Sequence, residues 1–271
     1  MHTIPVYAQV FLQLFCLAAG YFFYWKKSVS PSGLFAFIGI SSVFIWLNLL
    51  PPLVIMAGMF ASSSLFTALG KRWKKRSEEV AEKSGPRDYV QAFANLGPAI
   101  VFILLFFYIN EPFLLAAFIG SVAGANADSW ASEIGGLSRQ KPVMITNFKK
   151  VPKGISGGVT LLGTLGGVAG TIFIVVLAHI CYESVVSARL LWKLSVVCAI
   201  AGVVGFTLDS YLGAIGQGLY KDPDGRLQEY GNDDAVLEKG LRWINNDMVN
   251  FLTTSMAGLI AALLYMIWPA N

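Results

Sequence analysis

The sequence is poor in the residues that zinc centres and covalent catalytic sites require. It contains 3 cysteines and 2 histidines among 271 residues. The cysteines form no CxxC or Cys/His cluster, so we predict neither a zinc site nor a disulfide framework. No Ser/His/Asp or Cys/His arrangement supports hydrolysis through a covalent intermediate. A GxxxxGK[ST] phosphate loop is also missing, which argues against a soluble type of nucleotide-binding fold.

Charged residues are scarce as well. They form 13% of the chain, whereas hydrophobic residues form 55% and the mean hydropathy is +0.61. One soluble core cannot hide so much apolar surface. Apolar stretches of roughly 20 residues, the length that crosses the hydrocarbon layer, recur along the sequence. We therefore predict an all-α polytopic membrane helix bundle that forms a single domain over residues 1–271.

Proline, glycine and charged residues divide the apolar pattern into about eight predicted transmembrane helices. An even number of spans places both chain ends on the same side of the membrane. The predicted helices cover residues 4–25, 33–49, 52–70, 89–109, 112–127, 157–180, 191–217 and 243–268.

Lysine and arginine are distributed very unevenly among the predicted loops. Of the 20 basic residues, 18 fall on one side and only Arg189 and Lys193 on the other. Cytoplasmic loops carry such an excess, so we predict that both termini lie outside. The predicted cytoplasmic loops are 71–88, 128–156 and 218–242.

The net charge of +4 follows from this bias and does not indicate a nucleic-acid partner. The basic run at 71–76 is typical of a juxtamembrane anchor on anionic lipid, and phosphate binding is the alternative.

An internal repeat is visible in the second half of the chain. Residues 124–135 align without gaps to residues 205–216, matching Gly, Asp-Ser-aromatic and Ile-Gly. A Lys-Gly-Ile sequence at 153–155 corresponds to Lys-Gly-Leu at 239–241. This pattern predicts that the hairpins of helices 5–6 and 7–8 are parallel repeats, with chance similarity between glycine-rich helices as the alternative.

Four acidic residues fall inside or at the end of apolar helices: Asp128, Glu133, Asp209 and Asp247. A carboxylate at such a depth is costly unless it is paired, hydrated or bound to a cation, so it indicates a functional site. Oxygen ligands without histidine or cysteine suit Mg²⁺ or Mn²⁺. We predict that Asp128, Asp209 and Asp247 bind the metal and that Glu133 belongs to the same catalytic group.

Polar side chains form two stripes on predicted helices. Asn246 and Asn250 are spaced i, i+4, and Asp88, Gln91 and Asn95 are spaced i, i+3, i+7. Both stripes should face the interior of the bundle. They serve either the substrate or hydrogen bonding between helices.

A glycine-rich turn at 154–160 opens predicted helix 6. Free backbone N–H groups at a helix start favour phosphate, although such glycines also serve close helix packing. The candidate phosphate ligands in and before this turn are Ser156, Gly157, Gly158, Lys149, Lys150 and Lys153.

Several of these segments together resemble a known family. They are SSSLFTALGKR, RDYVQAFANLG, GANADSWASEIG, KGISGGVTLLGTLGG, LDSYLGA and NNDMVN, in this order over nearly the whole chain. They resemble the integral-membrane family called Domain of Unknown Function 92, whose relatives include animal transmembrane protein 19 and the plant phytyl-phosphate kinase.

The resemblance implies a membrane-embedded kinase. Such an enzyme transfers a phosphoryl group from a nucleoside triphosphate, with CTP expected, to an isoprenoid monophosphate such as phytyl or polyprenyl phosphate. The product is the diphosphate, and Mg²⁺ or Mn²⁺ is the implied cofactor. The implied catalytic half is 87–258. Further implied substrate contacts are Asn95, Ser129, Ser210, Asn246 and Asn250.

Two positions depart from the family pattern. Asp128-Ser129 stands where Asp-Thr is frequent, and residues 155–158 read Ile-Ser-Gly-Gly instead of Thr-Ser-Gly-Gly. The hydroxyl of Ser156 is kept, and the first threonine hydroxyl of that motif is lost.

Two other classes of function remain open at this point. A cytidylyltransferase acting on a lipid phosphate would use the same metal and CTP but release pyrophosphate. A transporter or flippase of a phosphorylated isoprenoid lipid would also need intramembrane carboxylates and repeats. No Arg- and Ser-rich leader is present, so a bacterial inner membrane is the expected location, with the site facing the cytoplasm.

Overall fold

A computed structural model describes residues 4–74, 85–225, 227–231 and 234–268, with residues 71–74 described as backbone only. The side chains of the basic run at 71–76 and of Arg226 therefore lie outside the described part of the chain. The described residues form eight helices, as predicted: α1 (Val6–Trp25), α2 (Pro31–Trp46), α3 (Leu50–Lys74), α4 (Tyr89–Ile109), α5 (Pro112–Gly135), α6 (Leu161–Tyr182), α7 (Ala188–Ile215) and α8 (Asn246–Ile267).

Several helix boundaries differ from the prediction, and three of these differences lie near the candidate site. Helix α5 continues to Gly135, so residues 128–135 are helical and do not belong to a loop. Polar residues made this segment look like a helix end, but packing against neighbouring helices keeps it helical. Helix α6 begins later than predicted because Thr160 caps it, its side chain accepting a hydrogen bond from the Gly163 N–H. Asn245 caps α8 in the same way, accepting from the Met248 N–H.

Short β-strands, which the sequence did not predict, occur in two loops. Between α5 and α6, strand β1 (Val143–Met144) pairs antiparallel with β2 (Gly158–Val159). Between α7 and α8, a sheet has the order β4-β3-β5. Its strands are β3 (Leu219–Lys221), β4 (Leu227–Gln228) and β5 (Val236–Lys239).

Six of the eight helices are long and apolar enough to cross a membrane, by length and composition. Helix α2 is apolar but has only 16 residues. Helix α5 has 24 residues, but small and polar residues fill its second half and lower its hydropathy. The prediction of about eight spanning helices is thus supported directly for six of them.

The turns divide between two ends of the bundle. At one end, the Ser30 N–H donates to the Arg87 carbonyl (2.9 Å), which joins the α1–α2 and α3–α4 connections. The α5–α6 and α7–α8 loops also meet there, through Ser156 and Glu229. We call this the polar end. At the opposite end, the N-terminal Ile4 N–H donates to Asn48.

Helix α5 forms the centre of the bundle. Each residue from 114 to 127 is buried, so the helix is covered on all sides. Its partners are α3, α4, α6, α7 and α8. Small residues in α5 allow these neighbours to approach closely. Within this buried stretch, Ser121 donates to the Thr254 carbonyl of α8 and Asn126 donates to the Gly170 carbonyl of α6.

Close contacts at glycine fix the packing of α5. A Cβ added to Gly120 would lie 2.5 Å from the Ala261 Cβ on α8, and one added to Gly124 would lie 2.9 Å from the Ala257 Cβ. Both distances are below van der Waals contact. Small residues spaced by four thus let two membrane helices pack backbone to backbone.

We therefore expect Gly120→Ala to destabilise the fold, because the added methyl group overlaps α8. Overpacking of this kind costs about 1–3 kcal/mol. The matched control is Gly39→Ala on α2, where a Cβ would meet nothing within 4 Å. Thermal unfolding in detergent should show a lower Tm for Gly120→Ala only. An equal Tm for both variants would contradict this packing.

Candidate functional site

The aligned halves of the repeat lie side by side. A Cβ added to Gly124 of α5 would be 3.8 Å from the Cα of Gly205 on α7, which is its counterpart in the alignment. One turn nearer the polar end, the carboxyl groups of Asp128 and Asp209 lie within hydrogen-bonding reach of each other. These two are also counterparts. The helices therefore run parallel and in register at the site.

The third helix of the site is α8. The Thr253 hydroxyl donates a hydrogen bond of 2.7 Å to Oδ2 of Asp209. Asn250, one turn nearer the polar end, is also buried. Because Ala257 contacts Gly124 and Gly205, this face of α8 covers the seam between α5 and α7. The paired aspartates thus lie between three helices and are half-buried.

Two carboxylates at this separation repel each other strongly in an apolar bundle. They share a proton or they bind a cation between them. The two carboxylates and the Thr253 hydroxyl are hard oxygen donors of the kind that Mg²⁺ prefers. The donor set at Asp128 and Asp209 therefore fits a divalent cation.

The predicted three-aspartate metal site is not assembled as a cluster. In the part of the chain that the structure describes, no three or more His, Cys, Asp or Glu residues stand together as a ligand group. Asp247 is in the first turn of α8, nearly two turns before Thr253. Mg²⁺ is commonly held by one or two carboxylates, with water and substrate phosphate completing the shell.

Glu133 faces a different part of the bundle from Asp128. Five residues along a helix rotate the side chain by about 140°. Oε1 of Glu133 accepts a hydrogen bond of 2.6 Å from Thr67 on α3. The structure therefore does not bring Glu133 to the paired aspartates, with which the sequence analysis had grouped it.

Arg87 is the cation of this second polar cluster. Its guanidinium donates to the hydroxyls of Ser63 (3.1 Å) and Ser64 (3.2 Å), and more weakly to Thr67 (3.5 Å). Burial lowers the pKa of Arg87, and the nearby charge of Glu133 opposes this shift. The cluster fixes the segment before α4 against α3 and α5.

The glycine-rich turn packs on α7, and its last residue, Thr160, caps α6. Gly157 has a φ of +83°, and a Cβ there would clash with the Cβ of Ala214. The turn is therefore bound to the polar end of α7, close to Asp209 in sequence. The N–H of Ser156 donates a 2.7 Å hydrogen bond to Oε1 of Glu229.

The predicted lysines divide into two groups. Lys149 and Lys150 are exposed beside the β1–β2 pair. The Lys153 ammonium instead donates to the carbonyls of Gly136 (3.3 Å) and Ser138 (2.6 Å), just beyond α5. Lys153 therefore anchors the loop in this structure.

The two predicted polar stripes differ in their surroundings. Asp88 and Gln91 form a capping box at the start of α4. The Asn95 side chain donates to the Gln91 carbonyl (2.9 Å), so this stripe supports its own helix. On α8, Asn250 is buried and Asn246 is exposed. Ser129 and Ser210 follow the paired aspartates and are half-buried.

Four residues of the polar end were missed from the sequence. Thr253 continues the Asn246/Asn250 stripe at i+7, and extending that stripe would have found it. Arg87 was counted only as a loop charge. Gln217 and Glu229 lie in a long connection without helical periodicity, so no sequence pattern indicated their contact, in which Gln217 Nε2 donates to Glu229 Oε2 (2.8 Å).

The fold and the site define a class: a polytopic helical membrane protein with a half-buried carboxylate pair near the polar end of its bundle. The chain belongs to the family described as integral membrane protein DUF92, whose profile matches residues 14–258. This match confirms the resemblance drawn from the sequence motifs.

Relatives occur in archaea and plants. The chain is 29% identical over 214 residues to an uncharacterized membrane protein of Methanocaldococcus jannaschii, covering 79% of this chain and 76% of that protein. It is 26% identical over 284 residues to Protein PGR of Arabidopsis thaliana, covering 94% and 98%. It is 25% identical over 218 residues to Protein VTE6, chloroplastic, of the same plant, covering 78% of this chain and 57% of that protein. No solved structure was found to match.

We expect Thr253→Val to destabilise the protein, because it removes the hydrogen bond to Asp209 inside the bundle. Leaving a buried polar group without its partner costs about 1–3 kcal/mol. Ser255→Ala is the control, since that hydroxyl bonds only the Phe251 carbonyl of its own helix. Tm should fall in detergent for Thr253→Val and change little for the control. The prediction fails if the two variants unfold at the same temperature.

Proposed function

We propose that this protein is a membrane-embedded kinase for an isoprenoid monophosphate such as phytyl or polyprenyl phosphate. It transfers the terminal phosphoryl group of a nucleoside triphosphate, with CTP as the donor, and forms the diphosphate. One observation carries the proposal: Asp128 and Asp209 are paired inside an apolar bundle, close to the end where the basic loops gather.

Phosphoryl transfer makes modest demands that this site meets. The reaction needs positioning and neutralisation of phosphate charge more than it needs a covalent partner in the protein. The scarcity of histidine and cysteine is consistent with this chemistry. Membership of the family and the resemblance to the plant phytyl-phosphate kinase support the same activity.

Each part of the site has a proposed role. Asp128 and Asp209 would hold Mg²⁺ or Mn²⁺, and the bound cation would neutralise phosphate charge. Thr253 orients the Asp209 carboxylate through its hydrogen bond. The turn at 156–158 would face the phosphates from the loop side. The isoprenoid tail would lie among the apolar helices, with its phosphate at the polar end and the polar end facing the cytoplasm.

The activity can be tested with purified protein in detergent, Mg²⁺, each nucleoside triphosphate and a panel of isoprenoid monophosphates. Mass spectrometry should detect the diphosphate, with CTP as the preferred donor. Asp128→Asn and Asp209→Asn should each lower the rate by roughly 100-fold or more, because they weaken cation binding and charge neutralisation. A chelator should abolish the product, and added Mg²⁺ should restore it.

Asp224→Asn is the matched control, since this aspartate is exposed in the α7–α8 loop. It should keep the wild-type rate. Release of pyrophosphate with a nucleotidyl lipid as product would show that the protein is a cytidylyltransferase and not a kinase. Absence of any product from folded protein would reject an enzyme of this kind and favour transport, which flux of the phosphorylated lipid in liposomes would measure.

A further inference from the structure

The carboxylate of Glu229 is held by hydrogen-bond donors from two other segments. Its Oε1 accepts from the Ser156 N–H at 2.7 Å, and its Oε2 accepts from Gln217 Nε2 at 2.8 Å. The Ser156 side chain also hydrogen-bonds to it, and the positive charge of Lys239 acts on it favourably. We call the four donor groups of Ser156, Gln217 and Lys239 the anion nest.

The anion nest lies where the two loops of the polar end meet. Ser156 comes from the glycine-rich turn, Gln217 follows α7 directly, and Lys239 ends β5. A small cavity borders the nest and is lined by Ser156, Gly213, Gln217, Glu229 and Lys239, among others. The cavity has about the size of one water molecule, so a phosphate group would need the room that the Glu229 carboxylate occupies.

The position is electrostatically unfavourable for a permanent carboxylate. Burial raises the pKa of Glu229, although the donors of the nest and Lys239 oppose this shift. The charge of Glu229 also acts unfavourably on Asp209, so the nest lies within electrostatic range of the aspartate pair. A backbone N–H, a hydroxyl, an amide and an ammonium group are together well suited to phosphate oxygens.

We propose that the anion nest is a phosphate-binding site and that Glu229 occupies it in the ligand-free protein as an internal competitor. A phosphate group takes over the Ser156 N–H and the Gln217 amide when the Glu229 carboxylate leaves. The assignment of this phosphate to a substrate rests on the proposed function. No covalent bond changes in this exchange.

The exchange has a measurable consequence. Some ligands bind only when their site has been vacated. The apparent affinity of such a ligand is its intrinsic affinity multiplied by the fraction of protein with a vacated site. Removing the Glu229 carboxylate should therefore tighten phosphate binding, although the substitution also removes native hydrogen bonds. If Glu229 has only a structural role, its loss should disorder the anion nest and weaken phosphate binding.

Calorimetric titration of the full-length protein in detergent with inorganic pyrophosphate, with and without Mg²⁺, tests this proposal. We expect Glu229→Gln and Glu229→Ala to bind pyrophosphate roughly fivefold or more tightly than wild type. Gln217→Leu and Lys239→Met should bind it more weakly. The control is Glu238→Gln, which removes the same charge from an exposed position of β5 and should match wild type.

Unchanged or weaker binding in both Glu229 variants would overturn the proposal. Displacement of pyrophosphate by CTP alone or by the isoprenoid monophosphate alone identifies which phosphate takes the nest, and displacement by neither would reject a substrate site. Since binding is measured and not transfer, tighter binding in Glu229→Gln would stand even if wild type formed no diphosphate. If wild type forms the diphosphate but the Glu229 variants bind pyrophosphate as wild type does, the proposed kinase function stands and the proposed phosphate site is rejected.

Discussion

The close parallel approach of α5 and α7 is the constraint on which the site depends. Gly124 and Gly205 let the two backbones meet, and Ala257 of α8 closes the seam. One turn further, the same geometry places Asp128 against Asp209. Two half-buried carboxyl groups this close together favour a proton or a cation between them. Glycine packing therefore brings the candidate site together.

The polar end extends this centre outward through loops that are themselves tied down. Lys153 binds the carbonyls beyond α5, and the Gly157 turn lies against Ala214 of α7. Glu229 connects this turn to the α7–α8 loop. On another face of α5, Arg87 and Glu133 belong to a separate cluster that holds α3 and the start of α4. Helix α5 thus carries the candidate site on one face and the Arg87 cluster on another.

Much of the fold could be predicted because hydropathy and loop charge depend on local sequence. The helix count, the pairing of aligned repeat segments and the proximity of Asp128 to Asp209 follow from such patterns. The predicted end of α5 at residue 127 was wrong because tertiary packing keeps the polar segment that follows helical. The prediction grouped Glu133 with Asp128 because both are acidic. Their spacing along the helix points the two side chains in different directions, and Glu133 bonds to Thr67 of α3. Glu229 could not be found, because its contact joins distant loops without periodicity.

The central claim is that Asp128 and Asp209 together hold a divalent cation. Electron paramagnetic resonance can measure Mn²⁺ binding to the purified protein directly, without any assumption about the substrate. The account predicts that wild type binds Mn²⁺, that Asp128→Asn and Asp209→Asn each lose binding, and that Glu133→Gln keeps it. Loss in Glu133→Gln equal to that in the aspartate variants, or unchanged binding in all three, would contradict it.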